Sequence, residues 1–114
     1  MVHIYLAAAV ICFQNACYPI LMGDDTPIGT FHMTERLTAD PGYNGNVIQF
    51  YETDKKVYAI HRLWLLNKEQ HRNERLNSSK PSDHKITSGC INVSSEVFER
   101  LLDCCTEEDL KILP

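Results

Sequence analysis

The segment "DHKITSGCINV", residues 83–93, decides how this sequence is interpreted, because it combines a bend, a cysteine and the start of a strand. Gly89 directly precedes Cys90, two hydroxyl residues precede the glycine, and the apolar run "INV" follows the cysteine. A glycine lets the backbone turn sharply, so the amides of Gly89 and Cys90 can point at one place in space. Amides arranged in this way can stabilise an oxyanion, which makes Cys90 either a nucleophile or a buried structural thiol.

A cysteine nucleophile needs a base, and the chain has five histidines. Three of them lie on predicted strands or in a polar segment where surface or core roles are expected: His3, His32 and His71. Of the other two, His61 lies near the end of a strand, where a rigid backbone holds the ring, and His84 lies in a loop six residues before Cys90. The pattern favours His61 and leaves His84 as the alternative. A catalytic Cys90 is expected to have a lowered thiol pKa.

Composition indicates one folded domain over residues 1–114, with a hydrophobic fraction of 44% and a charged fraction of 23% that are ordinary for globular proteins. The net charge of −4 argues against a nucleic-acid surface. No closely spaced His and Cys set predicts a metal site. Basic residues do gather in one central segment, where they either bind a small anionic group or form a solvated loop: Arg62, Lys68, Arg72, Arg75, Lys80 and Lys85.

Residues 1–23 are apolar but do not resemble a signal peptide, because no Lys or Arg precedes the apolar run. The run is interrupted at Gln14 and Asn15, well short of a membrane span, so no membrane insertion is expected. We predict two strands, "HIYLAAAVICF" and "CYPILMG", joined by a turn. Export would then require a signal removed upstream of this chain or another delivery route.

The five cysteines are an odd number, so at least one thiol stays unpaired within a monomer. Cys12 and Cys17 flank the predicted turn and are either disulfide-bonded across the hairpin or free. Cys104 and Cys105 are predicted to be two reduced, partly buried thiols. Cys90 is then the cysteine without a partner.

The remaining patterns predict a mostly β fold with one main helix on a sheet or flattened barrel. The runs "VIQFYE" and "KVYAIHRLWLL" read as a hairpin joined by "TDKK", and "LKILP" as a closing strand. Residues 67–85 are polar and predict a long loop with one helical turn near residues 69–75. The helix is "SSEVFERLLDCC", with Ser94 or Ser95 as its N-cap.

Three segments in order resemble the catalytic domain of the L,D-transpeptidases (YkuD type), bacterial cysteine enzymes that remodel peptidoglycan. They are "DTPIGTF" at 25–31, "YAIHR" at 58–62 and "ITSGCINV" at 86–93. A subset of that family also contains runs that are similar to HR, ERL and GCINV of this chain. The resemblance implies an L,D-transpeptidase-like β-sandwich or flattened barrel, with residues 1–114 forming a single catalytic domain.

The resemblance also assigns roles to individual residues. It implies that Cys90 is the nucleophile and His61 the base, and that no metal or organic cofactor is used. The other signature positions, which line the oxyanion hole or orient the catalytic groups, are Thr87, Ser88, Gly89 and Asn92. Further loop residues either shape the site and meet the carboxylates of the substrate or form salt bridges that order the loop: Arg62, Arg75, Ser79 and His84. The chain departs from the family in having Ser88 where a histidine is usual and Arg62 where a glycine is common.

The implied function is L,D-transpeptidation of peptidoglycan tetrapeptide stems through an acyl-thioester on Cys90, with L,D-carboxypeptidase or D-amino-acid exchange activity as variants. The implied location is the bacterial periplasm or cell envelope, and a monomer is expected. Two alternatives remain: a delivered antibacterial effector that uses the same chemistry, and a non-catalytic module that binds the cell wall.

Overall fold

A computed structural model describes all residues from 1 to 114 and contains nine strands and two α-helices. The strands are β1 (Val2–Tyr5), β2 (Val10–Phe13), β3 (Ala16–Pro19), β4 (Gly29–His32), β5 (Thr34–Arg36), β6 (Val47–Glu52), β7 (Val57–Arg62), β8 (Ile91–Val93) and β9 (Asp109–Leu113). The helices are α1 (Arg72–Leu76) and α2 (Ser95–Cys105), and short 3-10 turns cover Pro41–Tyr43, Lys68–Gln70 and Pro81–His84.

The strands form two sheets. The first has the order β3-β2-β1-β9-β4, and the second has the order β5-β6-β7-β8. Within the second sheet β7 runs parallel to β8, and His61 lies directly beside Asn92. This register brings the predicted base next to the strand that follows Cys90. The predicted mostly β fold is confirmed, with the main helix at α2 and the predicted helical turn in the long loop at α1.

The hydrophobic core lies between the sheets and includes one face of α2. Along β9 buried and exposed side chains alternate, as expected for a strand with one face on the core. Large side chains from the first sheet, the second sheet and α2 belong to one buried cluster, among them Ile4, Ile11, Leu110, Ile48, Ile60, Ile91, Phe98 and Leu101. Each such side chain contributes about 1.5–3 kcal/mol when it leaves water, so the core holds the sheets that carry the site.

Two predicted strands are shorter than expected. "HIYLAAAVICF" is not one strand, because Leu6–Ala9 form a turn between β1 and β2, with Ala9 in the left-handed region at φ 55°. β7 ends at Arg62, where its partner β8 ends at Val93, so the following residues leave the sheet. Leu65 and Leu66 are consequently exposed rather than part of a strand.

The cysteine predictions have mixed outcomes. Cys12 and Cys17 are opposite each other in the β2–β3 hairpin and form a disulfide. The prediction that Cys104 and Cys105 are reduced is wrong, because their sulfur atoms are bonded to each other at the end of α2. The prediction failed because it treated two adjacent thiols in the last turn as too poorly placed to meet. Cys90 is the one free cysteine, as expected from the odd count.

The helix prediction is confirmed in its cap. Ser94 is the N-cap of α2, and its hydroxyl accepts a hydrogen bond from the Val97 amide at 3.2 Å. None of the helices is long and apolar enough to cross a membrane.

Candidate active site

Gly89 forms the bend that presents Cys90. Its φ of 124° lies in a region that favours glycine, and a Cβ there would stand 2.5 Å from Cε1 of Tyr58. The Thr26 hydroxyl donates to the Gly89 carbonyl oxygen at 2.9 Å and accepts from the Gly23 amide at 3.1 Å. The "TPIGTF" connector therefore holds the bend in place through its buried threonine.

Thr87 closes the same bend from the other side. Its hydroxyl donates to the Cys90 carbonyl oxygen at 2.7 Å and accepts from the Gly89 amide at 3.0 Å. The Gly89 amide is thus occupied in this conformation and does not serve as an oxyanion donor, whereas the Cys90 amide makes no hydrogen bond within the protein. Ser88 is exposed and lines the cavity beside Cys90.

The His61 ring is held at both nitrogens. Nδ1 donates to the carbonyl oxygen of Arg62 at 2.6 Å, and Nε2 accepts from the side-chain amide of Asn92 at 3.3 Å. The orientation of the Asn92 amide follows from its other contacts, since its oxygen accepts from Arg72 Nη1 at 2.8 Å and from the Trp64 amide at 3.2 Å. His61 is therefore a neutral imidazole, and its Nε2 lone pair, which accepts from Asn92 in this state, takes a proton only when that hydrogen bond is released.

Burial keeps both members of the candidate pair neutral. It lowers the pKa of His61 to about 4, aided by the charge of Arg72 and opposed by the hydrogen bond to the Arg62 carbonyl. Burial also raises the pKa of the Cys90 thiol, although the Ala59 amide and nearby cations act in the opposite direction. The lowered thiol pKa expected from the sequence is therefore wrong for this state, because desolvation outweighs the stabilising groups.

The thiol of Cys90 donates to the carbonyl oxygen of Val57 at 3.7 Å. It makes no hydrogen bond to His61 in this state, although the two side chains line the same cavity. Catalytic hydrogen bonds are often long or poorly aligned before substrate binds, so the missing bond does not exclude the pair.

Two cavities meet at Cys90. The first, which we call the polar cavity, has a volume of about 200 Å³ and is lined by Tyr43, His61, Trp64, Arg72, Thr87, Ser88 and Cys90. The second, the apolar cavity, has a volume of about 250 Å³ and is lined by Arg36, Leu37, Thr38, Tyr43, Val47, Val57, Ala59 and Cys90. A substrate can therefore approach the sulfur with one part in polar surroundings and another in apolar ones.

Tyr43 was not identified from the sequence, although it borders both cavities. Its ring stands edge-on to His61 at 4.7 Å and to Trp64 at 5.1 Å between centroids. Gly42 allows this packing, because a Cβ there would lie 2.1 Å from the Trp64 ring. The available signal was the "PGYNGN" turn, which marks a tight loop but not the strand that it covers.

None of the four candidate substrate-binding residues lines either cavity: Arg62, Arg75, Ser79 and His84. Arg62 pairs with Glu99 at 2.5 Å and lies over the Phe98 ring, which fastens β7 to α2. Arg75 donates to the carbonyl oxygens of Gln70 and Asp83, at 3.0 Å each. Arg75 therefore orders the loop through backbone hydrogen bonds, whereas Arg62 ties β7 to α2, and a substrate-binding role for either stays a prediction.

His84 and Ser79 also lie away from the sulfur. His84 is buried, with its ring nitrogens 2.8 Å from the Ile20 carbonyl oxygen and 2.9 Å from the Ser78 carbonyl oxygen. Ser79 is exposed on the loop. The structure brings His61, Asn92, Thr87 and Ser88 together around Cys90 and holds His84 in a separate structural position. No cluster of three or more His, Cys, Asp or Glu side chains is arranged to hold a metal ion.

Comparison with known proteins gives matches in three-dimensional structure. No protein-family model matches the chain, and no curated protein sequence matches it. The L,D-transpeptidase of Xylanimonas cellulosilytica aligns with a TM-score of 0.60 at 16% identity, over 98% of this chain and 59% of that one. L,D-transpeptidase 1 of Mycobacterium tuberculosis aligns with a TM-score of 0.58 at 16% identity, over 99% and 58%. The fold is that of the L,D-transpeptidases.

A third L,D-transpeptidase structure, from Stackebrandtia nassauensis, has a TM-score of 0.60 at 9% identity, over 99% of this chain and 54% of that one. This chain therefore spans a little over half the length of the L,D-transpeptidase chains that it matches. At such identities the likeness is one of fold, and the chemistry has to be argued from the residues around Cys90.

Proposed function

We propose that residues 1–114 form a peptidoglycan-remodelling L,D-transpeptidase domain that acts on tetrapeptide stems through an acyl-thioester on Cys90. One observation carries the proposal: the only free thiol lies on a glycine bend in the same cavity as a neutral, oriented imidazole, His61, within an L,D-transpeptidase fold. Nucleophile, base and an orienting third group are the parts that thiol acyl transfer requires.

The first half of the reaction forms the thioester. Cys90 Sγ attacks the carbonyl carbon of the L-residue that precedes the terminal D-residue, and the thiol proton passes to His61 Nε2. The free Cys90 amide donates to the resulting oxyanion. When the intermediate collapses, the carbon–nitrogen bond breaks, and His61 returns the proton to the departing amine of the D-amino acid. The Nε2 lone pair releases its hydrogen bond from the Asn92 amide when it takes the proton and accepts that bond again when the proton leaves, so Asn92 orients the ring in the resting state.

The second half transfers the acyl group. An amine of a second stem attacks the thioester carbonyl, gives a proton to His61, and releases Cys90, which recovers the proton. Water in place of the amine would give an L,D-carboxypeptidase, and a free D-amino acid would give exchange. Because both groups are neutral at rest, proton transfer accompanies the attack of Sγ on the carbonyl instead of preceding it.

The partners and location follow from this substrate. Peptidoglycan stems are the ligand, and the domain works as a monomer in the bacterial periplasm or cell envelope. A delivered antibacterial effector would use the same chemistry on the wall of another cell, and toxicity restricted to periplasmic expression would identify that role.

The test is a mass measurement combined with a turnover assay. An L,D-transpeptidase has been solved in complex with imipenem, so the intact mass after incubation with imipenem should increase by one adduct at Cys90 and not in Cys90→Ala. With a disaccharide-tetrapeptide, the chain should release the terminal D-amino acid and yield a cross-linked dimer or a tripeptide, again only with Cys90. Turnover that persists in Cys90→Ala would refute the mechanism.

A second candidate is a non-catalytic module that binds wall peptides in the same cleft. The raised pKa of the Cys90 thiol favours it, because an unreactive thiol needs no stabilised thiolate. This candidate predicts saturable binding of the tetrapeptide with no adduct from imipenem and no release of a D-amino acid.

A further inference from the structure

The positive charge of Arg72 is not paired with a carboxylate. Its guanidinium donates to the Gln70 side-chain oxygen and to the Asn92 side-chain oxygen, at 2.8 Å each, and both acceptors are neutral amides. Arg62 pairs with Glu99 and Arg100 with Glu96. Arg36 and Arg75 also have no carboxylate partner, but neither lines the polar cavity. No carboxylate lies within salt-bridge distance of Arg72, and its Nη2 makes no hydrogen bond in the protein.

The position of this cation is next to the candidate nucleophile. Arg72 lines the polar cavity together with Cys90, His61 and Ser88, and it separates that cavity from an outer one of about 430 Å³ that is lined mostly by polar loop residues. The side chain is half-buried, and its pKa is lowered by burial. A partly desolvated guanidinium with neutral partners gains energy from an anion that enters the cavity.

We propose that Arg72 binds a ligand carboxylate in the polar cavity, and that this carboxylate is the free α-carboxylate of the residue that leaves when Cys90 reacts. The identity of the carboxylate rests on the function proposed above. That group lies one residue beyond the attacked carbonyl, on the side of the leaving amine, and His61, which protonates that amine, lines the polar cavity together with Arg72. The planar guanidinium offers its unpaired Nη2 to the carboxylate.

Asn92 links this binding to the base. One side-chain amide accepts from Arg72 through its oxygen and donates to His61 through its nitrogen, so the carboxylate site and the proton acceptor are held in one arrangement. Arg72 is thus a specificity-determining residue: the domain should prefer a stem that ends in a free acid to the same stem with a terminal amide.

The first test needs no substrate. Iodoacetate and iodoacetamide alkylate the same free thiol, but only iodoacetate carries a carboxylate. The ratio of their rates at Cys90 therefore measures anion binding nearby. We expect Arg72→Gln to lower the iodoacetate-to-iodoacetamide ratio about tenfold, as the loss of one charge-assisted hydrogen bond does. Lys68→Gln, which removes an exposed cation from the same loop, should leave the ratio unchanged. An unchanged ratio in Arg72→Gln, or an equal decrease in Lys68→Gln, would overturn the carboxylate site.

The second test uses tetrapeptide stems with a free or an amidated terminus. Arg72→Gln should raise KM for the acid about tenfold and leave KM for the amide as it is, so the preference disappears. If the acid and the amide lose activity equally, Arg72 only positions Asn92 and the inference fails while the function stands. If neither stem is turned over but the alkylation ratio still falls, the proposed function fails and the carboxylate site stands. If Arg72→Gln does not fold, the iodoacetate-to-iodoacetamide ratio is measured with Arg72→Lys, which keeps the charge.

Discussion

His61 and His84 are both buried histidines, yet their hydrogen-bond partners give them different chemistry. Both ring nitrogens of His84 face backbone carbonyl oxygens, which only accept, so each contact is a hydrogen bond only when that nitrogen carries a proton. His61 faces one carbonyl and one amide nitrogen that donates to Nε2, so Nε2 is unprotonated and acts as an acceptor. The difference shows that the partner of the second nitrogen, and not burial, separates a candidate base from a structural histidine.

The largest expected effect tests the base directly. His61→Gln should reduce tetrapeptide turnover by about 10²–10⁴-fold, the range that general base catalysis supplies, because no group then accepts the thiol proton. His84→Gln should keep the turnover number, since its ring contacts neither cavity. The measurement is kcat with each purified variant, after circular dichroism has shown that it is folded. A comparable loss in both variants would remove the distinction between the two histidines.

The next effect concerns stability against pH. The folded pKa of His61, about 4, lies below its ordinary value of 6.5, so between these values the unfolded chain binds a proton that the folded chain does not. The free energy of unfolding should therefore decrease as the pH falls from 6.5 to 4, by about 3 kcal/mol from this residue. Urea titrations at pH 7, 5.5 and 4 should show a smaller decrease in the free energy of unfolding for His61→Gln than for the wild type. Identical decreases in the two proteins would contradict the buried neutral imidazole.

The smallest of the three effects concerns the structural role of His84. His84→Leu leaves at least one of the Ile20 and Ser78 carbonyl oxygens without its donor, which should reduce the free energy of unfolding by about 1–3 kcal/mol. His84→Gln should lose less, because its amide retains a donor for one carbonyl. Urea titration of the two variants at pH 7 gives the comparison, and equal stability of Leu and wild type would show that these hydrogen bonds contribute nothing.

Local sequence patterns were sufficient for the parts of the molecule that short-range physics determines. Alternating β-branched and aromatic residues marked β6 and β7, and Ser94 with the apolar stripe of α2 marked the helix. The glycine before Cys90 marked the bend, since the bend requires a φ of 124°. The ordered motifs then selected His61, whose place beside Asn92 follows from the pairing of β7 with β8.

The remaining parts depend on contacts between distant segments. Arg72 was one of six cations in a polar segment, and nothing local distinguished the one that reaches Asn92, twenty residues away. Tyr43 reaches His61 only because a loop folds over the end of β7. The pKa of the Cys90 thiol is raised by burial, and the motif could not indicate this because it does not show how deeply the sulfur is buried.

The position of β9 in the first sheet has a consequence for the timing of folding. β9 lies between β1 and β4, so the strand formed by residues 109–113 joins the opening hairpins to the connector that carries Thr26. A nascent chain that has not yet released β9 from the ribosome lacks the strand that joins β1 to β4 in this sheet, and we expect its Cys90 to be unprotected and its site unassembled. Pulsed thiol labelling of chains stalled before and after residue 113 would measure this delay, and equal labelling would show that the site assembles without β9.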